Sequence, residues 1–216
     1  LPLIGICILI FIPNSNHTQI KKIALNTCIL TFLLSIMLWV QFDNSTSKFQ
    51  FAEKLVLFKH NNYVENSVCE GSSLNFIIGL DGISLFFVIL TCFLIPVCIL
   101  VAWTNIKTYI KEYCICFLVL ETLINTVFSV LDLLLFYIFF ESVLIPMFII
   151  IGIYGSRERK IRAAYQFFLY TLFGSVLMLL AILLIFFQAG TTDLEILYTT
   201  EFSEARQILL WLAFFA

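Results

Sequence analysis

The sequence predicts an all-α fold, a polytopic transmembrane helix bundle, and three observations carry that expectation. The chain is 62% apolar and only 12% charged over 216 residues, whereas a soluble domain carries about a quarter charged residues. Several apolar runs reach the roughly 20 residues that cross a bilayer as a helix. Those runs are continuous rather than alternating at period two, so helices and not a barrel satisfy the backbone in hydrocarbon.

The elements follow in order. The stretch "LPLIGICILIFIP" at 1–13 has neither an initiator Met nor the basic leader of a secretory signal, and reads as a partial helix lacking its beginning. Full spans are expected at 23–42, 83–102, 113–131, 133–154 and 163–187. A last helix, 207–216, is too short to cross. Both ends therefore read as cut from a longer polypeptide, or as one half of a split one, within a single transmembrane domain 1–216. Between the spans, 43–78 is expected to be an outer-side loop long enough to form a small cap. Residues 155–162 are a basic inner-side loop, and Asp132 marks a tight turn that forces the spans on either side to be antiparallel neighbours. Asp132 and Asp81 each precede a span, where a carboxylate serves as a helix cap.

Orientation follows from the basic residues. Lys21, Lys22, Lys107, Lys111, Arg157, Arg159, Lys160 and Arg162 occupy alternate connections, while Lys48, Lys54, Lys59 and Arg206 are spread over the opposite, longer ones. The basic side is the cytoplasmic or matrix side. "SRERK" at 156–160, wedged between two spans, is a topology anchor and not a nucleic-acid patch. Six of the seven Cys, namely Cys7, Cys28, Cys92, Cys98, Cys114 and Cys116, lie in apolar segments, where a thiol behaves as a small hydrophobe. Without a CxxC and with His17 and His60 far apart in polar segments, no metal site is expected. The triplets at 16–18 and 44–46 match a glycosylation pattern that arises often by chance.

All but two of the fourteen Asp and Glu sit in loops or at span ends. Glu121 and Glu141 lie well inside their spans, roughly 12 Å from one end at 1.5 Å per residue. An acidic residue at a helix centre costs about 2.5–3.5 kcal/mol on insertion scales, so each must face other helices, a wetted cavity or a cation. Glu121, Asn125 and Ser129 recur at i, i+4 and i+8 as one polar stripe. Tyr137 and Glu141 form an i, i+4 pair on the next span, and Gln166, Tyr170 and Gly174 continue the pattern on the one after. Pro146 removes the hydrogen bond to the Ser142 carbonyl, favouring a water pocket beside Glu141. Two roles fit these residues. They are protonated groups gluing helices together, or they are a proton path, in which burial favours the neutral carboxyl and an approaching ammonium the ionised one.

"GLDGISLFFVILTCFLIP", "LDLLLFYIFFESVLIPMFIIIGIYGSRERKIRAAYQFFLYTLFGSVLMLLAILLI" and "GTTDLEIL" closely resemble the chain 4 family of mitochondrial NADH:ubiquinone oxidoreductase, the antiporter-like membrane subunits of respiratory complex I. The match extends over most of 75–198. The resemblance implies a proton-translocating subunit of the mitochondrial inner membrane, multi-pass, with basic loops on the matrix side, coupling NADH:ubiquinone electron transfer to proton pumping. Glu141, within "FFESVLIPMF", falls on the family's channel glutamate, and Glu121 on a second one. The resemblance also implies that NADH, FMN, Fe–S clusters and ubiquinone are held by other subunits, with no cofactor in this chain. Expected partners are the other membrane-arm subunits, neighbouring antiporter-like subunits among them, a chain or continuation supplying the missing C-terminal helices with the partner lysine, and membrane lipids. Two alternatives stand beside this reading: a subunit of a cation/proton antiporter, and a structural remnant of such a subunit.

Overall fold

The computed structural model describes residues 1–14, 16–43, 45–46, 48–59, 73–106, 108–155 and 157–215. Along them run α1 (Pro2–Phe11), α2 (His17–Gln41), β1 (Gln50–Lys59), β2 (Ser73–Leu80), α3 (Gly82–Asn105), α4 (Ile110–Ser129), α5 (Leu133–Tyr154), α6 (Lys160–Ala189), α7 (Leu194–Leu197) and α8 (Glu204–Phe215). Five of these, α2 to α6, are long and apolar enough to cross a membrane. The helical bundle is as the composition requires. The helices outrun the apolar runs at several ends, because helix propensity continues into the polar zone where hydropathy stops. Thus α2 begins at His17 rather than 23, α4 at Ile110 rather than 113, and α8 at Glu204 rather than 207. Lys160 and Arg162, expected in the basic loop, belong to the first turn of α6.

The segment 43–78 is not a plain loop. β1 and β2 pair antiparallel, with Gln50 opposite Leu80 and Glu53 opposite Ile78, and with irregular register between them. The strand signal is local: "QFAEKLVLFK" and "SLNFIIGL" are rich in the aromatic and aliphatic residues that suit a pleated surface. A search for long apolar spans passes over runs of this length. The short α7 in 188–206 was missed for the same reason.

α4 is the central helix. It touches α1, α2, α3, α5 and the end of β2, whereas α5 lies between α4 and α6, and α8 rests on α6. One apolar cluster joins α1, α2, α3 and α4 through residues such as Leu9, Ile20, Ile99, Tyr113 and Leu118. A second, smaller one joins Leu80, Leu85, Val88 and Cys92 near the hairpin.

The helix ends are closed differently on the two sides. At the basic end, lysines opening one helix cap the C-terminus of another. Lys21 of α2 donates to the Trp103 carbonyl at 2.6 Å and reaches that of Ile106 at 3.4 Å beyond α3. Lys111 of α4 donates to the Ile10 and Ile12 carbonyls at 2.9 Å each, and Lys160 of α6 to the Ile153 carbonyl of α5 at 2.6 Å. Each ammonium meets the negative end of a helix dipole and its unpaired carbonyls.

At the hairpin end the caps are aspartates. Asp132 Oδ1 accepts from the Leu134 and Leu135 amides at 2.9 and 3.0 Å, and its Oδ2 accepts from the Thr192 hydroxyl at 2.6 Å. Asp81 accepts from the Gly82 amide at the start of α3, and Asp193 from the Glu195 amide at the start of α7. Asp132 thus caps α5 as expected, and it also holds the loop after α6.

The α4–α5 turn is pinned from both sides. Leu131 donates its amide to the Ile77 carbonyl of β2 at 2.9 Å and accepts at its own carbonyl from the Leu194 amide at 3.0 Å, while the Leu133 amide donates to Thr192. Gly79 makes the approach possible, since a Cβ there would lie 2.6 Å from Leu131 Cδ1. Gly190, at φ 73°, ends α6 in the left-handed conformation that glycine adopts without a Cβ penalty. Asp132→Ala removes the cap and the Thr192 bond together and leaves a buried hydroxyl unpaired. It should destabilise the chain by about 2–3 kcal/mol, read as a lower thermal midpoint of the purified protein, with Asp132→Asn recovering most of the loss because an amide oxygen caps as a carboxylate does.

Candidate functional site

α4 and α5 are related by the turn at 130–132, and their two carboxylates stand at matching heights. Glu121 precedes the hairpin-side end of α4 by about 12 Å of helix, and Glu141 follows the start of α5 by about 12 Å. Every basic residue of these spans lies at a helix end, so Glu121 and Glu141 are the charges at mid-depth.

Glu121 is fully buried, at 0% exposure. Its partners come from α2, which turns a small polar face inward: Ala24, Cys28, Thr31 and Ser35 are all buried. The Thr31 hydroxyl lies 2.5 Å from Glu121 Oε1, and the Cys28 thiol donates to Oε2 at 3.5 Å. Small residues allow α2 to come close enough for this, in keeping with helix packing in membranes. One turn along α4, the Asn125 amide donates to Cys92 Sγ of α3 at 3.4 Å, while Asn125 Oδ1 is buried without a hydrogen-bond partner among the described residues. Ser129 donates to the Asn125 carbonyl. The stripe Glu121–Asn125–Ser129 therefore faces the α2–α3 side of α4.

Glu141 is half-buried. Its Oε2 is enclosed and has no hydrogen-bond partner among the described residues. An acceptor in that state calls for a proton, a water or a cation. Pro146 is buried in the interior of α5, so the Ser142 carbonyl beside Glu141 lacks its helical donor. Tyr137 is half-buried one turn away, and no hydrogen bond joins it to Glu141 among the described residues.

The expectation for α6 is corrected. Gln166 is exposed and Tyr170 is 82% exposed, so they do not extend the polar stripe into the bundle. α6 turns Ala164, Ser175, Ala181, Ile182 and Ile185 inward instead. A spacing of four identifies one face of a helix without saying which face the neighbours cover. The α2 groups were missed for the opposite reason: Cys28 and Thr31 are ordinary residues in an apolar run, and the signal that singles them out is the recurrence of small residues at 24, 28, 31 and 35.

Asn125→Leu, which replaces a half-satisfied amide by an apolar group of similar size, should change the stability of the chain by no more than about 1 kcal/mol, measured as the thermal midpoint of the purified protein.

The family described as the transmembrane region of NADH:quinone oxidoreductases and Mrp antiporters matches residues 130–216. The whole chain is 64% identical to NADH-ubiquinone oxidoreductase chain 4 of Prototheca wickerhamii, of which it covers 42%. It is 63% identical to the chain 4 of Arabidopsis thaliana, of which it covers 41%. A chain in the structure of respiratory complex I from Thermus thermophilus with bound NADH superposes with a TM-score of 0.77 at 26% identity, covering 98% of this chain and 40% of that one. The chain thus spans about two-fifths of the length of the curated relatives it matches. It is a homologue, over its full length, of the N-terminal portion of the chain 4 subunits of NADH-ubiquinone oxidoreductase.

Proposed function

We propose that this chain forms part of a proton-translocating, antiporter-like subunit in the membrane arm of a respiratory NADH:ubiquinone oxidoreductase, embedded in the mitochondrial inner membrane with its basic end toward the matrix. The observation that carries the proposal is the pair of mid-depth carboxylates on adjacent antiparallel helices, one packed against hydrogen-bond donors and the other with an enclosed oxygen that has no partner among the described residues. A carboxyl that only glued helices would have its acceptor satisfied, as Glu121 does. Glu141 is arranged to receive something.

In this reading Glu141 takes up a proton when no cation stands beside it and releases it when an ammonium from elsewhere in the assembled subunit approaches, since an opposite charge favours the ionised form. Redox chemistry belongs to other subunits, which hold the cofactors and change the charge state of the membrane arm during quinone reduction. Glu121, at matching depth and tied to α2, is the companion site. Pro146 leaves the Ser142 carbonyl available to a water beside Glu141.

The membrane family that matches residues 130–216 also takes in cation/proton antiporters. Full-length similarity to chain 4 proteins, at 58–64% identity for the first five of them, favours the oxidoreductase.

Glu141→Gln, near-isosteric and unable to ionise, should leave assembly intact and lower NADH-driven proton translocation about tenfold or more, measured with membrane vesicles and a pH-sensitive dye. Undiminished protons per electron would refute the assignment. Glu121→Gln should reduce translocation less. Sodium/proton exchange in vesicles without NADH would favour the antiporter reading instead.

A further inference from the structure

Thr31 has one hydroxyl hydrogen and two acceptors within its reach. Its Oγ1 lies 2.8 Å from the Cys28 carbonyl on its own helix and 2.5 Å from Glu121 Oε1. A hydroxyl donates one hydrogen and accepts through its lone pairs, so Thr31 donates to one of these groups at a time. The two contacts together describe two complete hydrogen-bond arrangements on one set of heavy atoms.

With Glu121 protonated, its Oε1–H donates to Thr31 Oγ1, and Thr31 donates to the Cys28 carbonyl. With Glu121 ionised, the Thr31 hydrogen rotates to Oε1, and the Cys28 carbonyl keeps its ordinary partner four residues on in the helix. The 2.5 Å separation lies at the short limit of the range for a hydroxyl donating to a carboxylate. In both arrangements the Cys28 thiol remains on Oε2 at 3.5 Å. A thiol is a weak donor, so the hydroxyl is the group that makes the ionised state tolerable there. The other titratable groups near the site are Cys92, joined to Asn125 on the α3 side, and the buried thiol of Cys114 on α4, which faces Cys28.

We propose that Thr31 is a positioning residue for proton exchange at Glu121: its rotating hydroxyl accepts from the carboxyl and donates to the carboxylate, so that Glu121 changes state inside a tightly packed junction of α2 and α4 without moving a helix. Its place in transport rests on the proton-path reading of the chain, but the hydrogen-bond exchange is testable without it.

The experiment is difference infrared spectroscopy of the assembled complex carrying the full subunit, turning over against resting. The carbonyl band of protonated Glu121 is the one missing in Glu121→Gln. Thr31→Val should displace that band, Thr31→Ser should restore it, and Thr31→Cys, with its weaker donor, should give a displacement between the two. The cysteine variant also keeps the test open if the valine variant does not assemble. An ordering by donor strength is something a purely space-filling role for Thr31 does not produce. A band unmoved in the variants lacking a hydroxyl, or no band that depends on Glu121, overturns the proposal. Ordered displacements in a complex whose proton translocation survives Glu121→Gln would uphold the exchange at Thr31 and sink the transport role of Glu121.

Discussion

The bundle is organised around the burial of one acid group. Glu121 sits at mid-depth on the helix that touches the most neighbours, where no lipid headgroup or bulk water can reach its oxygens. In hydrocarbon every polar group must be satisfied within the protein. Burying Glu121 therefore dictates what α2 looks like: Cys28 and Thr31 must point inward as donors, and Ala24 and Ser35 must be small so that α2 comes near enough to place them. α3 follows, because its Cys92 fills the next turn against Asn125. The apolar clusters on either side of this layer, one toward the basic end and one toward the hairpin, close it off.

The two ends of the bundle show how one set of charges serves two purposes. Lys21, Lys111 and Lys160 lie at the basic end, among the residues from which the sequence predicts the orientation by counting Lys and Arg in alternate loops. The same ammonium groups hold the carbonyls at the C-termini of α3, α1 and α5. A helix C-terminus facing the basic side is therefore closed by a lysine from the N-terminus of another helix, and at the opposite end N-termini are closed by Asp81, Asp132 and Asp193. Positive charge meets helix C-termini and negative charge meets N-termini, the arrangement that the helix dipole favours at both faces.

Much of this was legible in the sequence, and the exceptions have physical reasons. Five spans, the antiparallel α4–α5 pair, the cap at Asp132 and the burial of Glu121 follow from hydropathy, turn length and the cost of a charge in hydrocarbon, all of which are local or nearly so. The hairpin hidden in 43–78 was not read, because short strands leave no long apolar run. The orientation of Gln166 and Tyr170 was misjudged, because periodicity fixes which residues share a face and tertiary contacts fix which way that face turns. Thr31 was invisible as a partner of Glu121, since 90 residues separate them and a threonine in an apolar helix carries no mark of the acid it serves.

The pinned turn sets a limit on what the two carboxylates do for each other. Leu131 is bonded to β2 on one side and to the segment after α6 on the other, and Asp132 adds a third tie through Thr192. α4 and α5 therefore cannot slide past one another in register without breaking several hydrogen bonds at once. Glu121 and Glu141 each lie about 12 Å of helix from this junction, so their depths stay matched. A proton passed between them moves sideways and crosses almost none of the membrane potential, whose cost is counted along the normal. On the proposed proton-path reading, the electrical work of transport falls on the steps that bring protons to this layer and take them away. On α4 the polar groups next in line, Asn125 and Ser129, lead from Glu121 toward the hairpin end, and the enclosed Asn125 Oδ1 has no hydrogen-bond partner among the described residues.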